Sequence, residues 1–315
     1  MPFLRRAAIW LIAFLTIWLL CSAAIGVMAV ESALHPIRNR LTAEARATAE
    51  DVAARNNAHL EQVEIRAADK TALRAWYLHP DTSTGTNTSA NTDVILLHGV
   101  SDNRAGMLGN ANLLLRHGYA VLLPDARDHG DSDGPIATYG VLESDDLHRW
   151  FNWLQQRDHP HCIDGIGDSM GAAQLLESLA TNSYCAVVAE SSFSTFREAG
   201  YDRIGQQLDT GPWLGRTILR PAVEFGLLYG HFRYGVNLAQ ASPLHAVAQT
   251  HTPVLLIHGL ADTNLPPRHS EALARSNPAI QLWEPAATEH TAAYSTHPAE
   301  YEHRVLDWLA THRRP

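Results

Sequence analysis

Positive charge is in short supply in this sequence: 24 lysines and arginines stand against 33 aspartates and glutamates, for a net charge of −9. With no basic excess to displace phosphate counterions, nucleic-acid binding is excluded. Glycine loops of the kind that cradle phosphates are missing, and so is any internal repeat. There are only three cysteines. His159, His161 and Cys162 lie close together, but Pro160 and the start of a strand separate their side chains, so no metal site is expected, nor any cofactor. Charged residues make up 18% of the chain and apolar ones 46%, which suits a globular core and excludes a disordered chain.

Residues 7–30 lack charge of either sign and follow directly on Arg5 and Arg6. About 20 apolar residues cross a bilayer, and a cleaved signal has a shorter apolar region of about 7–15, so a retained transmembrane anchor over residues 1–30 is expected. A cleaved signal and a buried helix are the alternatives. Large residues (Trp18, Leu19, Leu20) precede Cys21, which speaks against a lipoprotein cleavage site. Arg5 and Arg6 favour a cytoplasmic N-terminus with the remaining chain on the far side, although Arg38 and Arg40 weaken that bias.

Residues 31–60, rich in Ala, Glu and Arg, read as a helical and largely solvated connector. Beyond them, Val63-Glu64-Ile65 and residues 73–78 flank Asp69-Lys70 as a hairpin would. Residues 81–92 are loop-like in composition. Short apolar runs then alternate with helix-period segments: 94–97, 120–123, 163–166, 186–189, 254–257 and 280–283. That alternation predicts an α/β fold whose mostly parallel central sheet is flanked by helices. Leu147, Trp150, Phe151 and Leu154 mark one helix face, and Tyr301, Val305, Trp308 and Leu309 mark another. Residues 193–246 contain no clear strand and are too long for a plain connection, so they are expected to form a helical cap insertion over the sheet's carboxyl edge. The core is then 61–192 with 247–315. Cys162 and Cys185 each open an expected strand. Parallel neighbours lie about 4.8 Å apart, so the two cysteines form a bridge if this part is exported, or remain two small buried thiols.

Gly167-Asp168-Ser169-Met170-Gly171 sits between an expected buried strand and an expected helix. A turn this tight needs small residues around the serine, exposes its hydroxyl, and aims a helix N-terminus at it. Alternatively, the serine merely caps the helix.

With this stretch and three other motifs in order, the chain resembles the α/β-hydrolase superfamily, and in pattern its membrane-anchored bacterial members. The first motif is Leu96-Leu97-His98-Gly99-Val100, where the resemblance implies an oxyanion-hole amide at Val100, with Met170 supplying the second. Next comes Pro124-Asp125-Ala126-Arg127-Asp128-His129-Gly130-Asp131-Ser132, with Asp128 where glycine is usual; here Arg127 and His129 are expected to buttress the elbow. The resemblance also implies that Asp262, in Leu256-Ile257-His258-Gly259-Leu260-Ala261-Asp262, orients the base; Glu190 is the competing acid. Last, His290 in Ala287-Thr288-Glu289-His290-Thr291 follows the final strand, where it can accept the proton of Ser169. His98 and His258 are expected to make supporting hydrogen bonds at strand ends.

These expectations describe a serine hydrolase acting on a small carboxylic ester with an apolar group and held to a membrane by its N-terminus. A peptidase, amidase or thioesterase would use the same residues, and a binding protein that kept the fold is the non-catalytic alternative.

Overall fold

The computed structural model describes residues 2–80, 91–207 and 209–313. The loop-like stretch expected at 81–92 falls almost wholly outside them.

The hairpin and the six apolar runs become one eight-stranded sheet, in the order β1-β2-β4-β3-β5-β6-β7-β8. Its first two strands, β1 (Ala58–Arg66) and β2 (Ala72–Pro80), are antiparallel, paired Val63 to Ala75 and Ile65 to Leu73. Asp69 accepts the Thr71 N–H at 3.0 Å across their turn, and Lys70 adopts a left-handed φ of 69°. β2 runs antiparallel to β4 (Ala120–Pro124). From there the pairing is parallel through β3 (Thr92–Leu97), β5 (Cys162–Asp168), β6 (Val187–Glu190), β7 (Val254–Ile257) and β8 (Gln281–Trp283). Every residue of β3, β6 and β7 is buried, as the uninterrupted apolar runs require.

Two apolar cores result. Val94, Leu96, Val121, Ile166 and Val188 point to one, with Tyr301, Val305 and Leu309 of α12 (Pro298–Thr311) and with α3 (Leu108–Arg116). Ile95, Leu97, Leu122, Ile163 and Ala189 point to the other, with Leu147, Trp150 and Leu154 of α4 (Glu143–Arg157) and with α5 (Met170–Glu177). A disulfide joins Cys162 to Cys185, whose Cα atoms are 5.7 Å apart.

Residues 31–60 differ from the solvated connector expected of them. The apolar helix α1 (Pro2–Leu34) takes in the first few, and β1 takes in the last. Between them α2 (Ala43–Arg55), capped by the Thr42 hydroxyl, buries Ala49, Val52 and Ala53 in the first core. Small residues at helical spacing were enough to pack, although the segment's composition looked solvated.

The chain divides into two compact units: residues 36–195 with 241–315, which hold the sheet, and residues 1–35 with 196–240. The second unit joins α1 to the helices of the insertion, α6 (Phe196–Gln207), α7 (Pro212–Arg216) and α8 (Arg220–Tyr234). Anchor and insertion, expected as separate domains, therefore form one body. In the sheet unit, α9 (Pro243–Val247), α10 (Arg268–Ser276) and α11 (Ala293–Thr296) complete the helices.

Candidate active site

Ser169 stands between β5 and α5 with φ 54° and ψ −111°, a backbone conformation that costs an L-residue energy and persists because its surroundings over-determine it. Those surroundings are backbone. The Ser169 N–H donates to the Glu190 carbonyl at 2.8 Å. A Cβ on Gly167 would lie 2.6 Å from the Gly171 carbonyl oxygen, and one on Gly171 would strike the Leu97 carbonyl. Glycine on both sides of the serine is thus a condition of the close approach of β3, β5 and α5.

His290, in the turn after β8, donates from Nδ1 to Asp262 Oδ2 at 2.7 Å, and its Nε2 accepts the Ser169 hydroxyl at 2.9 Å. Asp262 is fixed in turn. Its Oδ1 accepts the backbone N–H groups of Asn264 and Leu265, each at 2.9 Å. Burial pushes the Asp262 carboxyl up, but hydrogen bonds from His258 and His290 outweigh it and hold the group well below the usual carboxylate range. The structure therefore brings Ser169, His290 and Asp262 into one hydrogen-bonded chain from positions 121 and 28 residues apart.

Glu190, the competing acid, has no part in that chain: its Oε1 accepts the Ala293 N–H at 2.9 Å. Burial pushes Glu190 up to about 7, and burial together with the Glu190 and Asp102 carboxylates pushes Asp168 well above the usual range. The sequence pattern gives no sign that these two acids form a pair. Each is visible in the sequence, but their closeness comes from the β5–β6 register, which pairs Asp168 with Glu190.

Met170 opens α5, where the first N–H groups of a helix have no intrahelical partner. Gly99 is so near that a Cβ built on it would lie 3.6 Å from Ser169 Cβ, and Val100 follows it in the same turn. His98 secures that turn. Its Nδ1 donates to the Gly99 carbonyl at 2.8 Å and its Nε2 accepts the Ala126 N–H at 3.1 Å. Burial pushes His98 down, and burial with the neighbouring His98 pushes His129 down to about 4, so both rings are neutral at pH 7. His258 lies behind the acid, its Nδ1 accepting the Ser270 hydroxyl at 2.7 Å and its Nε2 donating to the Leu265 carbonyl at 2.8 Å.

Arg127 meets Asp146 through two hydrogen bonds of 2.7 and 2.8 Å and Asp69 through one of 3.0 Å. Asp125 accepts the N–H groups of Arg104 and Asp131, both at 2.7 Å. Asp128 supplies the left-handed turn, at φ 59°, that glycine would otherwise provide.

A family model described as the alpha/beta hydrolase family matches residues 94–304. The uncharacterized protein YqkD of Bacillus subtilis (strain 168) is 30% identical over 225 residues, which cover 69% of this chain and 70% of YqkD. The Pyrococcus furiosus esterase Pf2001 is similar in structure, with a TM-score of 0.68 and 24% identity, over 89% of this chain and 100% of its own. A puromycin-hydrolyzing peptidase of Mycobacterium tuberculosis gives a TM-score of 0.62 at 15% identity, over 82% of this chain and 40% of its own. At these identities the two solved structures speak for the fold alone.

Proposed function

This chain belongs to the alpha/beta hydrolase family, and we propose that it is a membrane-anchored serine hydrolase that cleaves a carboxylic ester through an acyl-enzyme. The observation that carries the reading is the hydrogen-bonded chain from Ser169 through His290 to Asp262, starting on a strained turn at the head of α5.

Ser169 Oγ attacks the ester carbonyl while His290 Nε2 takes its proton, and Asp262 holds the imidazole in the Nδ1–H tautomer and balances the imidazolium. The oxyanion is received by the backbone N–H groups of Met170 and Val100, each donor worth about 3 kcal/mol in comparable enzymes. His290 then gives the proton to the departing alkoxide, which leaves as the alcohol with Ser169 acylated. Water repeats the sequence, releasing the acid and restoring Ser169. Burial and the Glu190 carboxylate raise the Asp168 carboxyl, a shift that opposes placing a second negative charge near the developing oxyanion.

A peptidase, an amidase or a thioesterase would use the same three residues. Matched ester, thioester and anilide series decide between them, with wild type and Ser169→Ala side by side. Ester turnover lost in Ser169→Ala supports the proposal; turnover of anilides alone replaces it, and equal turnover by both proteins removes Ser169 as nucleophile.

For α1 we propose a bilayer span, supported by an 18-residue window of mean hydropathy 2.4 that is only 11% buried. Placement of the sheet unit on the non-cytoplasmic side is supported by the Cys162–Cys185 bond, which persists in oxidising compartments. Protection of the sheet unit from protease added to intact spheroplasts would reverse that orientation.

A further inference from the structure

Within the unit of residues 1–35 and 196–240, α1 meets α8 through small residues. A Cβ on Gly26 would collide with the Ala222 carbonyl oxygen, and one on Gly226 would lie 2.6 Å from the carbonyl oxygen of Gly26. Gly230 faces the Val30 side chain, where a Cβ would lie 3.3 Å from a methyl group. Ala222, Gly226 and Gly230 recur every fourth residue, the spacing that lets helix backbones touch where lipid supplies no hydrophobic drive. The two helices run parallel. Trp18 meets Ile218, Gly26 meets Ala222 and Gly226, and Glu31 accepts the hydroxyls of Tyr229 at 2.6 Å and Tyr234 at 2.7 Å.

This register sets a depth. Below the Trp18–Ile218 contact, residues 3–17 of α1 rise about 22 Å, short of the roughly 30 Å hydrocarbon core. A span of about 20 residues started at Phe3 ends at Ser22; started at Ala7, past the arginines, it ends at Gly26. The contact at Ile218 then lies about 6–12 Å inside the hydrocarbon boundary. If α1 crosses a bilayer, it carries the link between α7 and α8 into that bilayer.

The link is built for such a place. Where a helix breaks, backbone carbonyls lose their partners, and within lipid each one left unpaired is costly. Here the Trp213 carbonyl accepts the Thr217 hydroxyl at 2.7 Å, and the Ile218 carbonyl accepts the Trp18 indole N–H at 3.0 Å. The carbonyls of Thr217 and Leu219 accept the N–H groups of Arg220 at 3.3 Å and Ala222 at 2.9 Å. Among the described residues outside α1, six large apolar side chains are exposed, and four of them belong to this segment: Trp213 (65%), Ile218 (49%), Leu228 (51%) and Phe232 (78%). Residues 196–240 carry five arginines against four acids, in a chain of net charge −9. Arg216 is paired with Glu198, and Arg220, over the Tyr201 ring, has a stem long enough to hold its charge at the headgroups.

We propose that α7 and α8 form a second membrane element, seated at the headgroup and upper acyl level of the bilayer that α1 crosses, with Trp213 and Ile218 in contact with lipid. The proposal rests on the reading of α1 as a span, and its test separates the two. The full chain carrying Cys21→Ser receives single cysteines by Ile12→Cys, Trp213→Cys, Ile218→Cys or Arg275→Cys. Each is labelled with an environment-sensitive fluorophore and reconstituted in phosphatidylcholine vesicles containing phosphatidylglycerol. Positions 213 and 218 are expected to be quenched by nitroxide-labelled lipid and protected from aqueous iodide at least fivefold relative to position 275. Iodide access at 213 and 218 equal to that at 275, with position 12 still quenched by lipid, overturns the second element and leaves the span standing. Iodide access at position 12 as well removes both readings. Positions 213 and 218 shielded from both quenchers would be covered by protein, such as a second copy of the chain, and that also overturns the proposal.

Discussion

Replacing Asp262 by asparagine changes one atom and is expected to stop the proposed proton relay by trapping the wrong tautomer of His290. Oδ1 of Asp262 accepts two backbone N–H groups, from Asn264 and Leu265. An asparagine will place its carbonyl oxygen there, because an NH2 in that position would face two donors at 2.9 Å. The NH2 is then left at the Oδ2 position, 2.7 Å from His290 Nδ1. Donor cannot face donor, so His290 moves its proton to Nε2, the nitrogen that must receive the serine proton. In the comparable serine-protease substitution described for the Ser-His-Asp template the loss is about 10⁴, or roughly 5 kcal/mol of barrier. We expect a fall of about 10³–10⁴ here. The assay needs no known substrate: the second-order rate of Ser169 modification by a fluorophosphonate is measured for wild type, Asp262→Asn and Asp262→Ala. Asp262→Asn should react no faster than Asp262→Ala, since alanine leaves the tautomer free. A loss below tenfold, or an asparagine variant clearly faster than the alanine one, would refute the reasoning.

Gly171→Ala drives a methyl group into the Leu97 and His98 carbonyls, so a loss of about 2–3 kcal/mol in denaturant unfolding is expected, with Ser169 labelling slowed about 100-fold. Normal labelling and an unchanged midpoint would contradict the close approach. Burial pushes Asp164 up to about 7 from 3.8, so the native state holds a proton that the unfolded chain releases, and its contribution to stability falls as pH rises from about 4 to 7. Asp164→Asn removes that slope, and its advantage over wild type should grow by up to about 4 kcal/mol between pH 4 and pH 8; parallel stability curves would show that Asp164 ionises normally. Cys162→Ala with Cys185→Ala opens a loop of 23 residues and should cost about 3 kcal/mol of unfolding free energy without changing labelling in native buffer. Equal midpoints under non-reducing conditions would argue against a structural bond.

What could be read from the sequence was local. The run expected at 94–97 is β3, and the run expected at 186–189 is β6 shifted by one residue, because a strand buried on both faces declares itself in consecutive residues. Gly167 and Gly171 were legible for the same reason, as the turn around Ser169 fixes their spacing. The contest between Asp262 and Glu190 was of another kind. Both are acids at the ends of neighbouring strands, and only the path of the 284–292 turn puts His290 on one and the Ala293 amide on the other. Residues 43–55 misled because alanine signals neither burial nor exposure, and three of the small residues there turned inward.

The apolar insertion marks the limit of such reading. Trp213, Leu228 and Phe232 register as apolar whether they face an ester, a neighbouring helix or lipid, because hydropathy measures a side chain's aversion to water and names no partner. The partner of α8 lies about 200 residues away in α1, and the sign of that pairing is the glycine and alanine residues at Gly26, Ala222, Gly226 and Gly230, which contribute almost nothing to hydropathy. Glycine in a helix interior costs about 1 kcal/mol against alanine, so three of them at one crossing need a compensating contact. Backbone-to-backbone approach supplies it. The turn at Ser169 and the crossing of α1 with α8 are thus built by one device: a residue without a side chain, placed where two backbones must touch.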